Sequence, residues 1–162
     1  MSIRGGKMYQ KILAPLDGSE LSECTLRHLK AVASGCQIPE AVLLHVVQPV
    51  EEEYQHYRHR GIPEETLDQA KKDIEDYARD YLAKVADRMK KEGIRVSTAI
   101  VRGRAAEEIL EYARKNSVDL IVMSTHGKSG LARWAFGSVA DRVLRQAAIP
   151  VLVIPPQGCR IS

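Results

Sequence analysis

The sequence predicts an α/β protein with one open parallel sheet and helices on both faces. Apolar runs of strand length alternate strictly with longer stretches in which apolar residues recur every three or four positions. The chain has 162 residues, a length typical of one domain. It contains only one Trp and one Phe, so we expect its core to be built from Val, Ile, Leu and Ala.

Five short apolar runs are bounded by turn-forming residues, as buried strands usually are. The second run, AVLLHVV, is continuous and rich in β-branched residues, which is typical of parallel strands covered on both faces. In chain order, the predicted strands span residues 9–16, 41–47, 95–101, 118–123 and 150–154.

Four helices are predicted between these strands, over residues 20–34, 64–92, 105–115 and 138–147. Ser19 can cap the first helix because its hydroxyl can accept a free backbone N–H, and Gly35 is a suitable C′ residue. The second helix, which Gly93 ends, has an apolar stripe formed by Leu67, Ala70, Ile74, Tyr77, Tyr81, Val85 and Met89. Strict alternation with strands then favours right-handed crossovers in a parallel sheet.

Charge and hydropathy exclude several classes of protein. The 24 Lys and Arg residues nearly balance 21 Asp and Glu, so a histone-like nucleic-acid binder is excluded. No apolar run approaches the ~18 residues of a transmembrane helix, and the polar N-terminus has no apolar signal segment. We therefore expect a cytoplasmic protein with no membrane or nucleic-acid partner.

The three cysteines are odd in number and include no CxxC pair. A disulfide framework or a structural zinc site is therefore not expected. We expect reduced thiols, with Cys24 and Cys36 packed and Cys159 exposed on the C-terminal tail.

The residues that follow the predicted strands are the candidates for ligand contact, because ligands of open α/β sheets bind beyond the carboxyl ends of strands. A loop of small and polar residues, 124–130, follows the fourth strand. Gly137 and Ser138 open the last helix, where free N–H groups and the helix dipole attract an anion. With Lys128 as an added charge, these elements could form a phosphate cradle. Alternatively, Gly130 is only a loop turn and Ser138 only a helix cap.

Familiar nucleotide and hydrolase motifs fail at single positions. Gly127-Lys128-Ser129 resembles the end of a P-loop, but the leading glycine would have to be Val122. A GxSxG elbow fails at Leu131, and no GxGxxG is present, so a Rossmann dinucleotide site is not expected.

Three further residues have open interpretations, and together they form no catalytic set. His45, inside the second strand, is a satisfied core histidine or a base. His126 contacts a ligand or caps a turn. Asp17, at the end of the first strand, contacts a ligand's base or a cation, or it caps the first helix. The irregular connection 48–63, rich in His, Arg and Tyr, is a contact surface or a solvated loop.

Five blocks of the chain, in this order, resemble the universal stress protein family. They are KILAPLDGS at 11–19, LLHV at 43–46, Gly103 with Glu107-Glu108-Ile109, DLIVMSTHG at 119–127, and GSVADRVL with PVLVI at 137–154. The resemblance covers residues 8–155. It implies a universal stress protein domain over 8–155, with tails at 1–7 and 156–162.

For the fold, this resemblance implies a five-stranded parallel sheet of order 3-2-1-4-5, Rossmann-like and similar to the adenine nucleotide alpha hydrolases. It also implies a homodimer. In that order the apolar last strand lies at a sheet edge, so a two-fold partner could pair it with its own copy, or a loop or the tail 157–162 covers it. In that order the switch point lies between strands one and four, whose loops the residue patterns already indicate.

For the site, the resemblance implies binding of ATP or another adenine nucleotide, with Mg²⁺ as a candidate companion. The family's G-x2-G-x9-G-[ST] frame is Ser124-x2-Gly127-x9-Gly137-Ser138 here, so the first position departs from glycine. The implied adenine-side contacts are Pro15, Leu16, Asp17 and Val46. The implied ribose and phosphate contacts are Met123, Ser124, Gly127, Gly137, Ser138 and Val139.

The expected function is that of a nucleotide-dependent signalling protein of the stress response. It is expected not to be an enzyme, with at most slow ATP hydrolysis, because no catalytic base is evident. One alternative is a slow ATPase or phosphotransfer enzyme that uses His126 or Asp17. Another is a nucleotide-free dimeric interaction module whose site has been lost at Ser124.

Overall fold

A computed structural model describes residues 8–48, 64–125 and 137–156. The strands are β1 Lys11–Pro15, β2 Glu40–Val47, β3 Val96–Arg102, β4 Leu120–Ser124 and β5 Val151–Ile154. The helices are α1 Glu20–Glu23, α2 Thr25–Gly35, α3 Glu64–Lys91, α4 Ala105–Lys115 and α5 Ser138–Gln146. The predicted alternation of strands and helices is confirmed.

The five strands form one parallel sheet in the order β3-β2-β1-β4-β5, as predicted. The central strand is β1, whose Ile12, Leu13 and Ala14 are fully buried. It pairs with β2 on one side and β4 on the other, so the strand order reverses at β1 and β4. The predicted switch point is therefore present in the fold.

Helices cover both faces of the sheet, which divides the core into two clusters. On one face α2 and α3 pack with Leu29 and Leu82 against Ile12. On the other face α4 and α5 pack against Leu13, and Val143 of α5 is fully buried there. Successive residues of β1 contribute to opposite clusters because side chains alternate along a strand.

The first predicted helix is wrong in detail, because it is interrupted at Cys24. The hydroxyl of Ser22 donates to the Ser19 carbonyl (2.9 Å), and that of Thr25 donates to the Ser22 carbonyl (2.6 Å). Such side-chain bonds to carbonyls three residues earlier compete with the helical pattern.

The structure confirms only some of the predicted helix ends. Ser19 caps α1, as predicted, and its hydroxyl accepts from the Ser22 N–H (3.1 Å). Gly35 is the last residue of α2 and not its C′ residue, because Gln37 takes the left-handed conformation (φ 51°) instead. Gly93 (φ 84°) ends α3, as predicted.

The apolar stripe predicted along α3 is only partly buried. Of its members Val85 and Met89 are buried and Tyr81 is half-buried, while Ala78, Leu82 and Ala86, which the prediction did not include, complete the buried face. Ile74 and Tyr77 are 41% and 67% exposed. In the N-terminal half of α3 the predicted stripe is therefore wrong at Ala70, Ile74 and Tyr77, whose side chains are exposed.

The expected reduced state is wrong for Cys24, and for Cys36 it is confirmed but the expected packing is wrong. Cys24 is disulfide-bonded, and Cys36 is a free thiol but exposed. The expectation for Cys159 lies outside the described residues. None of the helices in the described ranges combines the length and apolar character needed to cross a membrane.

Candidate functional site

A cavity of about 500 Å³ opens at the carboxyl ends of β1, β2 and β4. This volume falls within the range of small-molecule sites, roughly 300–1,000 Å³. Its position at the reversal of the strand order is where open α/β sheets bind ligands. The N-termini of α4 and α5 and one residue of α3 complete its wall.

The structure brings together nine of the ten residues that the sequence predicts for a site. The cavity is lined by Pro15, Leu16, Asp17, Val46, Met123, Ser124, Gly137, Ser138 and Val139. The tenth, Gly127, lies outside the described residues. Their role in nucleotide contact stays a prediction, whereas their convergence on one cavity is a property of the fold.

The turn after β1 is held by its own side chains. The Asp17 carboxylate accepts from both the N–H (2.9 Å) and the hydroxyl (2.6 Å) of Ser19. The Asp17 N–H in turn donates to the Ser22 hydroxyl (3.3 Å). Asp17 is therefore not the helix cap that the sequence left as an alternative. It orients Ser19, and Ser19 is the cap.

The N-terminus of α5 is fixed to the end of β4. The Gly137 N–H donates to the Thr125 carbonyl (2.7 Å), and the Thr125 N–H donates to the carbonyl of Ile154 in β5 (3.0 Å). Gly137, and not Ser138, takes the N-cap position, so the interpretation of Ser138 as a cap is wrong. The first intrahelical bond runs from Asp141 to Gly137. The N–H groups of the next residues, Ser138 to Ala140, thus have no partner within the helix, and these residues line the cavity.

The lining divides into apolar walls and hydroxyl-bearing residues. Pro15, Leu16, Val46 and Ile74 supply aliphatic surface, and Ser124, Thr125 and Ser138 supply hydroxyls. Among the lining residues that are described, only Asp17 carries a formal charge. Such a site can hold an apolar ring system at one part and an anion, through backbone dipoles, at another.

The cavity wall also contains residues outside the ten predicted contacts, and they differ in whether the sequence indicates them. Thr125 is buried, directly follows Ser124 and belongs to the 124–130 loop, which its position after the fourth strand already marks as a candidate. Ile74 could not have been found, because its place depends on how α3 crosses the sheet. Glu75 pairs with Arg102 at the end of β3 and so ties this part of α3 to the sheet. The hydrogen bond from Arg102 holds the pKa of Glu75 below its usual value.

His45 is half-buried and lines the same cavity. Its ring nitrogen Nδ1 lies 2.8 Å from the Leu16 carbonyl oxygen, and its ring meets Tyr81 edge-on. Burial, and next the charge of Glu23, raise the pKa of Tyr81, which therefore stays neutral at physiological pH. Of the two interpretations of His45, the structure favours the satisfied histidine over the base.

Several other candidates cannot be placed. His126, Lys128 and Gly130 lie outside the described residues, and so does the connection 49–63. Within the described ranges, no group of three or more His, Cys, Asp or Glu side chains is placed to hold a metal ion.

Comparisons with known proteins agree with this geometry. A model of the universal stress protein family matches residues 8–155. The universal stress proteins MJ0531 and MJ0577 of Methanocaldococcus jannaschii are each 34% identical to this chain, over 94% and 91% of it and 86% and 95% of their own lengths. A solved structure of MJ0577 superposes with a TM-score of 0.77 at 32% identity, covering 96% of this chain and 99% of that one.

Proposed function

This chain belongs to the universal stress protein family, and from that membership and the lining of the cavity we propose that it binds an adenine nucleotide. The observation that supports this proposal most directly is the cavity at the switch point. Its lining contains both aliphatic side chains and the N-terminus of α5. The base would contact Pro15, Leu16 and Val46, with Asp17 beside them. The phosphates would accept from the first-turn N–H groups of α5.

Solved structures with the same fold support this ligand class. One universal stress protein was solved in complex with cAMP, and one from Archaeoglobus fulgidus in complex with dAMP. Their identities to this chain, 21% and 18%, show the shared fold alone. The fold can therefore hold an adenine nucleotide, and the lining of this chain is what makes the same ligand class suitable here.

We propose binding without efficient turnover. The Asp17 carboxylate, the only formal charge in the described lining, accepts two hydrogen bonds from Ser19 and is engaged in shaping the turn. A general base would need to reach the proton it removes. Any hydrolysis is therefore expected to be slow. Mg²⁺, if required, would enter bound to the phosphates.

In the cell, the proposed role is that of a cytoplasmic homodimer whose nucleotide state alters its contacts with partner proteins. The nucleotide would fill the space between the β1 turn and the α5 N-terminus, two elements that belong to opposite layers of the fold. Binding would thereby couple these layers. In this way a bound nucleotide could change the surface that partner proteins contact.

The first experiment is isothermal titration with ATP, ADP, AMP and adenosine, with GTP as a base-specificity control. It is accompanied by mass-spectrometric identification of any ligand that copurifies. We expect saturable binding of at least one adenine nucleotide and weaker binding of GTP. No binding of any adenine nucleotide would contradict the proposal and favour the alternative of a nucleotide-free interaction module. Rapid turnover of ATP would favour the alternative of an ATPase or phosphotransfer enzyme.

The second experiment tests the anion site at Gly137. Its backbone (φ −58°, ψ 152°) is one that any residue can adopt, so a side chain there would not strain the chain. A loss of binding would therefore come from a clash between the new side chain and the ligand. Gly137→Val should abolish nucleotide binding while thermal unfolding shows a folded protein. Gly35→Val is the matched control, because Gly35 has open space around it and lies outside the cavity lining. Unchanged affinity in Gly137→Val would show that the phosphates do not bind at the N-terminus of α5.

A further inference from the structure

His45 makes a contact that the proposed binding function does not yet use. It lies on β2, one residue beyond Leu44, and its Nδ1 is 2.8 Å from the Leu16 carbonyl oxygen. A carbonyl oxygen can only accept, so Nδ1 must carry the proton and donate it. The hydrogen bond therefore assigns the ring tautomer and joins β2 to the turn after β1.

The peptide unit between Leu16 and Asp17 is held at both of its polar groups. Its carbonyl accepts from His45, and its N–H, that of Asp17, donates to the Ser22 hydroxyl (3.3 Å). The Leu16 N–H continues the sheet by donating to the Leu44 carbonyl (2.8 Å). With these three bonds in place, the direction in which the chain leaves β1 toward Asp17 is fixed.

The ring of His45 is itself held in place from behind. Tyr81 of α3 packs against it edge-on, with centroids 6.2 Å apart and the planes at 69°. The Tyr81 hydroxyl is buried and has no hydrogen-bond partner in the part of the chain that the structure describes. The Tyr81 ring, and not its hydroxyl, is thus the feature that supports His45.

We propose that His45 is a positioning residue for the nucleotide site. By holding the Leu16–Asp17 peptide, it sets the β1 side of the cavity before a ligand arrives, so that binding need not order this turn. The inference rests on the proposed nucleotide function, since the affinity of that site is what His45 would support. A merely structural His45 would lower stability without lowering affinity selectively.

The test compares two substitutions at one position. His45→Asn keeps a donor near Nδ1, since its side-chain amide can reach the same carbonyl, whereas His45→Leu keeps bulk and removes the donor. We expect His45→Leu to weaken binding of the nucleotide found by titration about 5- to 50-fold, as for a lost hydrogen bond that leaves a part-buried acceptor unpaired. His45→Asn should stay within about threefold of wild type, a fraction of that same loss.

Two controls separate positioning from stability. Tyr81→Phe keeps the edge-on ring contact and should leave affinity unchanged. Leu82→Ala removes fully buried core volume outside the cavity lining, so it should lower the melting temperature while leaving affinity near that of wild type. If His45→Leu binds like wild type, or if His45→Asn loses as much affinity as His45→Leu, the proposal is overturned.

Amide hydrogen exchange of the ligand-free protein gives a readout that does not depend on nucleotide binding. The Asp17 N–H should exchange faster in His45→Leu than in wild type, and at the wild-type rate in His45→Asn. Equal exchange in all three proteins would show that His45 does not hold the peptide. Failure of the wild type to bind any adenine nucleotide would instead overturn the proposed function, while the exchange rates would still report on the contact itself.

Discussion

At the scale of single residues, Ser124 decides how far this site departs from the pattern that the sequence resembles. It is the last residue of β4, half-buried, and it lines the cavity. A hydroxymethyl group at this point can either hydrogen-bond a ligand or occupy part of its space. We favour the hydrogen bond, because a partly buried hydroxyl in the wall of a ligand cavity can donate to an oxygen of the ligand.

We therefore expect Ser124→Ala to weaken nucleotide binding by about 0.5–1.5 kcal/mol, the net value of one hydrogen bond. Titration calorimetry of Ser124→Ala and Ser124→Gly beside wild type measures it. Tighter binding by Ser124→Gly would contradict this expectation and show that the side chain crowds the ligand. Equal affinities in all three proteins would show that the position does not contact it.

At the scale of elements, the turn that leads into α4 depends on Gly103, whose backbone lies close to other groups of the protein. Its φ of 148° is one that residues with a side chain rarely adopt. Its N–H donates to the Val47 carbonyl (3.0 Å), which connects the start of the α4 turn to the end of β2. A Cβ at this position would overlap the side chain of Glu108. Ala105 of α4 lines the cavity two residues later, so this turn also positions the wall.

Gly103→Ala should accordingly destabilise the protein by about 1–3 kcal/mol, the cost of a strained backbone. Gly35→Ala is the matched control, because Gly35 lies in α2 with nothing within 4 Å of a new Cβ. There, alanine should be neutral or should stabilise by about 0.4–1 kcal/mol by reducing the freedom of the unfolded chain. Urea unfolding of both variants measures the free energies, and equal values would refute the role of Gly103.

At the scale of the whole molecule, the strand order leaves β3 and β5 at the two edges of the sheet. Val151, Leu152 and Val153 of β5 are only partly buried. An apolar edge strand favours association unless it is covered. A two-fold partner could pair β5 with its own copy, and the flanking Pro150 and Pro155 would keep that pairing short.

We expect Val153→Lys to shift sedimentation from dimer to monomer, because it would place a charge in a self-paired edge. Thr98→Lys, at an exposed position on the opposite edge strand β3, is the matched control and should leave the dimer intact. A wild-type protein that sediments as a monomer at micromolar concentration would rule out the dimer. A shift caused only by Thr98→Lys would instead rule out pairing through β5.

How much could be predicted from the sequence differs between the fold and the site. The strands and the ends of α3 and α4 follow from local signals: buried apolar runs, Gly93 and the spacing of Ile109 and its neighbours. Local signals failed where side chains compete for backbone groups, as at Ser22 and Thr25. They also failed along α3, because the spacing of its apolar residues does not indicate which helical turns pack against the sheet.

The sequence by itself determined the alternation of elements, and with it the strand ends from which most of the lining comes. The reason is that parallel strands place all their carboxyl ends at one edge, so residues distant in sequence must converge there. Only the tertiary structure decided which other side chains complete that edge. Ile74 reaches the cavity through the crossing of α3, and His45 reaches the Leu16 carbonyl through the register of β1 with β2. Contacts of this kind depend on distances between elements, which no local pattern of residues encodes.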